Sequence, residues 1–216
     1  MISKNTKLRI YTSLILFFLI FLSIKFSYVL LYILIIFGIL SILEIIFISE
    51  KLFIKKFYKY LFNSFFILYL FFFCYFFFIF SNFEQAKVII YCLLIGCVAS
   101  DIGGFIFGKL LKGPKITKIS PNKTYTGAIG SILLTAIVIS ILFIIFFDKF
   151  NYSILILSII TSLGCQVGDL FFSLLKRKAK IKDTGNFLPG HGGILDRVDG
   201  ILFGIPLGFI SLGFLF

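Results

Sequence analysis

The 216-residue chain has no tryptophan, one histidine, one methionine and four prolines, and only 14% of its residues are charged. The shortage of charge excludes most. With 60% of residues hydrophobic and a mean hydropathy of +1.13, the composition fits no soluble domain and is that of an integral membrane protein. It leaves no polar module to carry a nucleic-acid surface, so the net charge of +12 needs another explanation. The four cysteines, Cys74, Cys92, Cys97 and Cys165, all lie in apolar runs, and none has metal-ligand spacing with the single histidine. They read as small buried hydrophobes, not as disulfide partners or zinc ligands. No internal repeat is visible. The 32 phenylalanines read as a bias towards AT-rich codons, which the GC content of the coding sequence would test. The Phe-rich run 71–80 reads as lipid-facing filler.

What is present is a series of long apolar runs. Spans are expected at about 10–24, 28–48, 61–80, 88–107, 128–147, 152–174 and 194–216. At 1.5 Å per residue, lengths of this order cross roughly 30 Å of hydrocarbon. The fold class is therefore all-α, a polytopic membrane helix bundle of about seven transmembrane helices. The first run follows a basic start but is not followed by a small-x-small cleavage site, so it reads as a retained helix. Glu44, inside the second run, reads as a residue that snorkels or bonds a neighbouring helix.

The basic residues are not spread evenly. If the N-terminus is cytoplasmic, alternate connections carry 18 of the 21 Lys and Arg residues, and the opposite turns hold only Lys25, Lys87 and Lys149. That asymmetry follows the positive-inside rule. It places the two long polar loops, 108–126 and 173–193, on the cytoplasmic face and the C-terminus outside.

The longest polar stretch is Ser173 to Asp199, SLLKRKAKIKDTGNFLPGHGGILDRVD. Gly190, Gly192 and Gly193 around His191 permit positive φ and let backbone N–H groups approach an anion. Lys176, Arg177, Lys178, Lys180 and Lys182 suit a polyphosphate. Asp196 and Asp199, at i and i+3, share a helix face if the last span begins near Ile194. Carboxylates beside phosphate-binding cations suggest a divalent metal. The alternative is a solvated basic loop held by lipid headgroups. Asp101 and Asp169 sit at the same ends of the fourth and sixth spans, and charges at membrane depth tend to face a bundle interior and to function there. The 108–126 loop adds Ser120, Asn122, Lys123 and Thr124 as donors to phosphate, with prolines stiffening the backbone.

These residues resemble a known family. Ser173-x-x-Lys176-Arg177, Lys182-Asp183, Gly185, Pro189-Gly190-His191-Gly192-Gly193 and Asp196-Arg197-x-Asp199 are similar to the signature of the phosphatidate cytidylyltransferase (CDP-diacylglycerol synthase) family. Gly168-Asp169 and the block Asp101…Gly108-Lys109…Ser120-Pro121-x-Lys123-Thr124…Gly127 are similar to it as well. The likeness covers roughly the C-terminal half, so the chain divides into N-terminal hydrophobic helices (1–90) and a catalytic half (91–216) of one membrane-embedded domain. Three positions depart from the family pattern: Phe172 stands where a Glu is usual, Thr126 where an acidic residue is usual, and Gly104-Phe105 where an Ala-Tyr pair is usual. The chain is also short for the family at its N-terminal end.

The resemblance implies transfer of CMP from CTP to phosphatidic acid, giving CDP-diacylglycerol and pyrophosphate, at the cytoplasmic side of a bacterial inner membrane, by a homodimer. It implies Mg²⁺ on Asp169 and Asp196 with Asp199 adjoining, and K⁺ as a second cation. Asp169, Asp196, Lys182 and His191 are then the expected catalytic residues. Lys123, Ser120, Lys176, Arg177, Arg197 and Asp101 are the expected substrate contacts. His191 would bond a phosphate oxygen or carry a proton. Another CTP-dependent lipid enzyme, such as a polyprenol kinase, and a cation transporter are the alternatives.

Overall fold

A computed structural model describes residues 4–117, 120, 123–185, 187 and 192–215. Among the described residues the chain forms seven α-helices: α1 (Lys4–Lys25), α2 (Ser27–Leu52), α3 (Lys56–Ser81), α4 (Glu84–Leu111), α5 (Tyr125–Phe147), α6 (Tyr152–Lys178) and α7 (Leu195–Leu215). Six of them, α2 to α7, are long and apolar enough to cross a membrane, and α1 has a shorter apolar part, Tyr11–Lys25. The protein is a polytopic membrane helix bundle, and each helix lies where an apolar run predicts one.

The helices extend past the apolar runs because helical hydrogen bonding continues into polar flanks. α6 carries Lys176, Arg177 and Lys178 in its last turn, where cations meet the negative end of the helix dipole. Its end is closed by Lys180 at φ 55°, with the Ile181 amide donating to the Lys176 carbonyl at 2.9 Å. Thr124 caps the start of α5: its hydroxyl accepts from the Gly127 amide at 3.1 Å.

The chain divides into two compact units. One comprises α1 to α3 and the segment Leu175–Arg197; the other comprises Glu84–Leu174 and Val198–Phe216.

In the first unit α2 packs on both α1 and α3. The Phe-rich run on α3 is divided between two environments. Phe73 and Phe77, one turn apart, are buried, and Phe73 meets Phe37 of α2 with ring centroids 6.3 Å apart. Phe71 and Phe72 are exposed, as lipid-facing residues of a membrane helix are. The filler expected over 71–80 is thus packing material on one face.

In the second unit α4 and α5 approach closely through small residues. A Cβ on Gly103 would stand 2.5 Å from the Gly130 carbonyl oxygen, so backbone meets backbone there. Hydroxyls join the same helices: Ser131 Oγ donates to the Ser100 carbonyl at 2.7 Å, and the Ser100 and Ser162 hydroxyls lie 3.0 Å apart. Gln166 Nε2 donates to the Ala128 carbonyl at 3.2 Å. Cys92, Cys97 and Cys165 are buried with free thiols, in keeping with their reading as small apolar residues. Phe172 is 1% exposed and meets Phe171 and Phe203 edge-on.

Candidate functional site

In the second unit the described residues 112–117 and 123–124, between α4 and α5, pair as the two arms of a hairpin. Lys115 and Thr124 form an antiparallel bridge, the Ile116 amide donates to the Lys123 carbonyl at 2.9 Å, and the Tyr125 amide donates to the Pro114 carbonyl at 3.0 Å. Ser120 sits in the turn: its carbonyl accepts from the Lys123 amide at 3.1 Å, and its own amide donates to Thr117 Oγ1 at 3.3 Å. The turn presents Lys123, whose Nζ lies 2.9 Å from Asp169 Oδ2. Asp101 lies within electrostatic reach of both charges. Lys123, Asp169 and Asp101 therefore form one cluster, drawn from the hairpin, α6 and α4.

Two glycines bring α6 and α7 together beside this cluster. A Cβ on Gly168 would strike the backbone carbonyl of Asp199, and a Cβ on Gly200 would come within 3.5 Å of Asp169 Oδ1. The Asp169 carboxylate thus lies against the turn of α7 that carries Asp199. The Asp199 carboxylate accepts from the Gly200 amide at 3.0 Å.

The first unit holds a second cluster. Lys176 Nζ stands 2.6 Å from Asp196 Oδ1, with the two side chains 14% and 8% exposed. Asp196 Oδ2 accepts from the Thr184 amide at 2.8 Å and from the Gly193 amide at 3.3 Å, and Thr184 Oγ1 lies 3.0 Å from it. Behind them lies Glu44 of α2, 1% exposed. Glu44 Oε1 accepts from the Ile194 amide at 2.8 Å, and Oε2 accepts from the Leu195 amide at 2.9 Å and from Thr184 Oγ1 at 2.7 Å. A carboxylate on the first amides of α7 meets both the unpaired N–H groups and the positive end of the helix dipole.

Glu44 also explains two glycines. A Cβ on Gly185 would come 2.8 Å from Glu44 Oε1, and one on Gly193 would come 2.7 Å from Oε2. Gly192 takes φ +85°, in the left-handed region. The described glycines of this stretch do let backbone approach an anion, and the anion they meet is the protein's own carboxylate.

Sequence reasoning read Glu44 as a residue that snorkels or bonds a neighbouring helix and did not connect it to the site. It did not single out Thr184. The signal for Glu44 was a lone acid in an apolar run; its partners are 140 to 151 positions away and left no local pattern. Arg177, Lys182 and Arg197 lie on exposed positions. His191, with Pro189, Gly190, Lys118, Pro121 and Asn122, lies outside the described residues.

Among the described residues no group of three or more His, Cys, Asp or Glu side chains is gathered to hold a metal ion. Mg²⁺ needs no such cage. It keeps water and takes one or two carboxylates plus substrate phosphates, and Asp169 and Asp196 are each carboxylates of that kind.

The model of the Cytidylyltransferase family matches residues 1–215. A phosphatidate cytidylyltransferase of Mycobacterium leprae is 43% identical over 116 residues, which are 52% of this chain and 36% of the relative. One of Helicobacter pylori is 43% identical over 121 residues, 56% of this chain and 46% of the relative. One of Staphylococcus haemolyticus is 44% identical over 121 residues, 55% of this chain and 46% of the relative. The matched stretch thus spans less than half the length of each of these curated relatives.

Proposed function

The chain belongs to the cytidylyltransferase family, and from that premise we propose that it is a phosphatidate cytidylyltransferase. It transfers CMP from CTP to phosphatidic acid, giving CDP-diacylglycerol and pyrophosphate. A phosphate oxygen of phosphatidate attacks the α-phosphorus of CTP in line. The bond from that phosphorus to the bridging oxygen breaks, and pyrophosphate leaves with the electron pair.

The observation that carries this reading is the pairing of each key aspartate with a lysine, Lys123 with Asp169 and Lys176 with Asp196. Phosphoryl and nucleotidyl transfer ask a protein mainly for alignment and charge neutralisation. A lysine held on a carboxylate is a positioned cation that can turn to a phosphate oxygen without a long search. The carboxylate it leaves is then open to a hard cation. Asp169 and Asp196 are each assigned as carboxylates for Mg²⁺, with Asp199 adjoining Asp169 in the second unit and K⁺ as a further cation. When bound, Mg²⁺ supplies charge neutralisation on the triphosphate. Lys123 and Lys176 hold phosphate oxygens. The turn at Ser120 fixes the backbone from which Lys123 extends. Exposed Arg177, Lys182 and Arg197 add charge that draws in the anionic substrates. His191 is assigned to a phosphate oxygen, and Asp101 to the electrostatic balance around Lys123.

The basic loops are assigned to the cytoplasmic face of a bacterial inner membrane, and a homodimer is the proposed assembly. The test uses purified protein in detergent with phosphatidate, Mg²⁺ and α-labelled CTP. Label entering the lipid phase, abolished by EDTA and absent with labelled ATP, is the expected result. Transfer of label from the γ-position instead would establish a lipid kinase, and no transfer from well-folded protein would overturn the reading.

A further inference from the structure

We infer that Glu44 is a positioning residue for Asp196, acting through the hydroxyl of Thr184. The inference deepens the proposed reaction and rests on the assignment of Asp196 to it.

Glu44 lies on a membrane-spanning helix and is 1% exposed, where an unpaired carboxylate would be expensive. Its oxygens take three donors, two of them the Ile194 and Leu195 amides at the start of α7. Asp196 is the next residue along that helix. Glu44 therefore fixes the backbone from which the Asp196 side chain springs.

The second link is Thr184. It is 1% exposed, and its one hydroxyl lies 2.7 Å from Glu44 Oε2 and 3.0 Å from Asp196 Oδ2. A hydroxyl has one proton, so it donates to one carboxylate at a time. The shorter contact puts that proton on Glu44. Asp196 Oδ2 then keeps the Thr184 and Gly193 amides, and its orientation depends on where Glu44 holds Thr184. Gly185 and Gly193 leave no room for a Cβ around the Glu44 carboxylate, so the cradle is shaped to its occupant.

A helix cap with no further role would need only the two amide bonds. Sharing Thr184 with Asp196 is what ties the cap to the site. Glu44→Gln keeps the shape but supplies one acceptor oxygen where two are needed, so an α7 amide or the Thr184 hydroxyl loses its partner. Thr184→Val removes the hydroxyl at nearly constant volume, and Thr184→Ser retains it.

The experiment measures two things on full-length protein: amide hydrogen exchange in the segment containing residues 194 and 195, and CMP transfer as a function of Mg²⁺ concentration. Glu44→Gln is expected to speed exchange there. Both Glu44→Gln and Thr184→Val are expected to lower kcat/KM by about 10- to 100-fold, the usual effect of removing a group that orients a metal-binding carboxylate. The half-maximal Mg²⁺ concentration rises with them, and Thr184→Ser restores both quantities to near the parent values. Unchanged exchange in Glu44→Gln overturns the cap. Unchanged Mg²⁺ dependence in Thr184→Val overturns the link to Asp196. Should Glu44→Gln fail to accumulate, Thr184→Val and Thr184→Ser decide the matter. A parent protein that transfers no CMP defeats the proposed reaction instead, and the exchange measurement still judges the cap.

Discussion

Lys123 and Asp169, 46 positions apart in sequence, meet at 2.9 Å with each side chain 27% exposed. A pair this open to solvent adds little to stability, typically about 0–1 kcal/mol. On the proposed reaction, its value lies in placing a cation where a phosphate can replace the carboxylate.

Lys123→Ala is therefore expected to separate activity from stability. The melting temperature in detergent should stay near that of the parent. CMP transfer should fall by about 10²- to 10³-fold in kcat/KM, as when one positioned electrostatic group is removed. Equal losses of stability and activity would show that the pair is structural.

Asp196→Asn tests the other pair. Asn can keep its carbonyl oxygen towards the Thr184 and Gly193 amides and turn its NH₂ towards Lys176, which then loses its counter-charge. At 14% and 8% exposure this pair is less screened than Lys123–Asp169, so stability should also fall, by about 1–3 kcal/mol. The protein is expected to accumulate in the membrane without measurable turnover. Normal turnover would remove Asp196 from the reaction.

How much of this was legible in sequence depended on distance along the chain. The helices were readable because a membrane span is a local property: each apolar run became a helix, and only the ends moved, as with Lys176–Lys178 inside α6. The charged residues of the polar loops were readable as a class. The partners of Glu44 were not, because nothing near position 44 reports on Thr184 or on the start of α7. Gly190, Gly192 and Gly193 were tied to close approach by an anion, a polyphosphate, and Gly190 lies outside the described residues. They did not reveal that a carboxylate of α2 fills that role for Gly185 and Gly193. The pairing of the hairpin arms was hidden for a related reason: the Lys115–Thr124 bridge left no mark in the prolines on which sequence reasoning relied.

Phe172 marks a departure that packing explains. It stands where related sequences are expected to carry Glu, and here it is 1% exposed against Phe171 and Phe203. Phe172→Glu would bury an unpaired carboxylate among aromatic rings, a loss of about 3 kcal/mol or more. The variant should melt lower and gain no activity, by thermal unfolding and CMP transfer in parallel. A Phe172→Glu protein with higher turnover and unchanged stability would mean that a cation waits there unpaired.

The α4–α5 contact offers a test of geometry that leaves every charged group in place. A Cβ on Gly103 would meet the Gly130 carbonyl oxygen at 2.5 Å and Leu134 Cβ at 3.1 Å, so the obstacle is largely backbone. Gly103→Ala must push α4 and α5 apart, and overpacking of this kind typically takes about 1–3 kcal/mol. Gly213→Ala is the control: nothing lies within 4 Å of its Cβ position, and alanine is the better helix former. Thermal unfolding in detergent should rank Gly103→Ala below the parent and Gly213→Ala level with it or above. Because α4 carries Asp101 and α5 follows directly on Lys123, Gly103→Ala should also weaken CMP transfer, while Gly213→Ala leaves it unchanged. Equal behaviour of the two variants would show that the helices have slack at Gly103, and that the close approach of α4 and α5 does not set the position of Lys123.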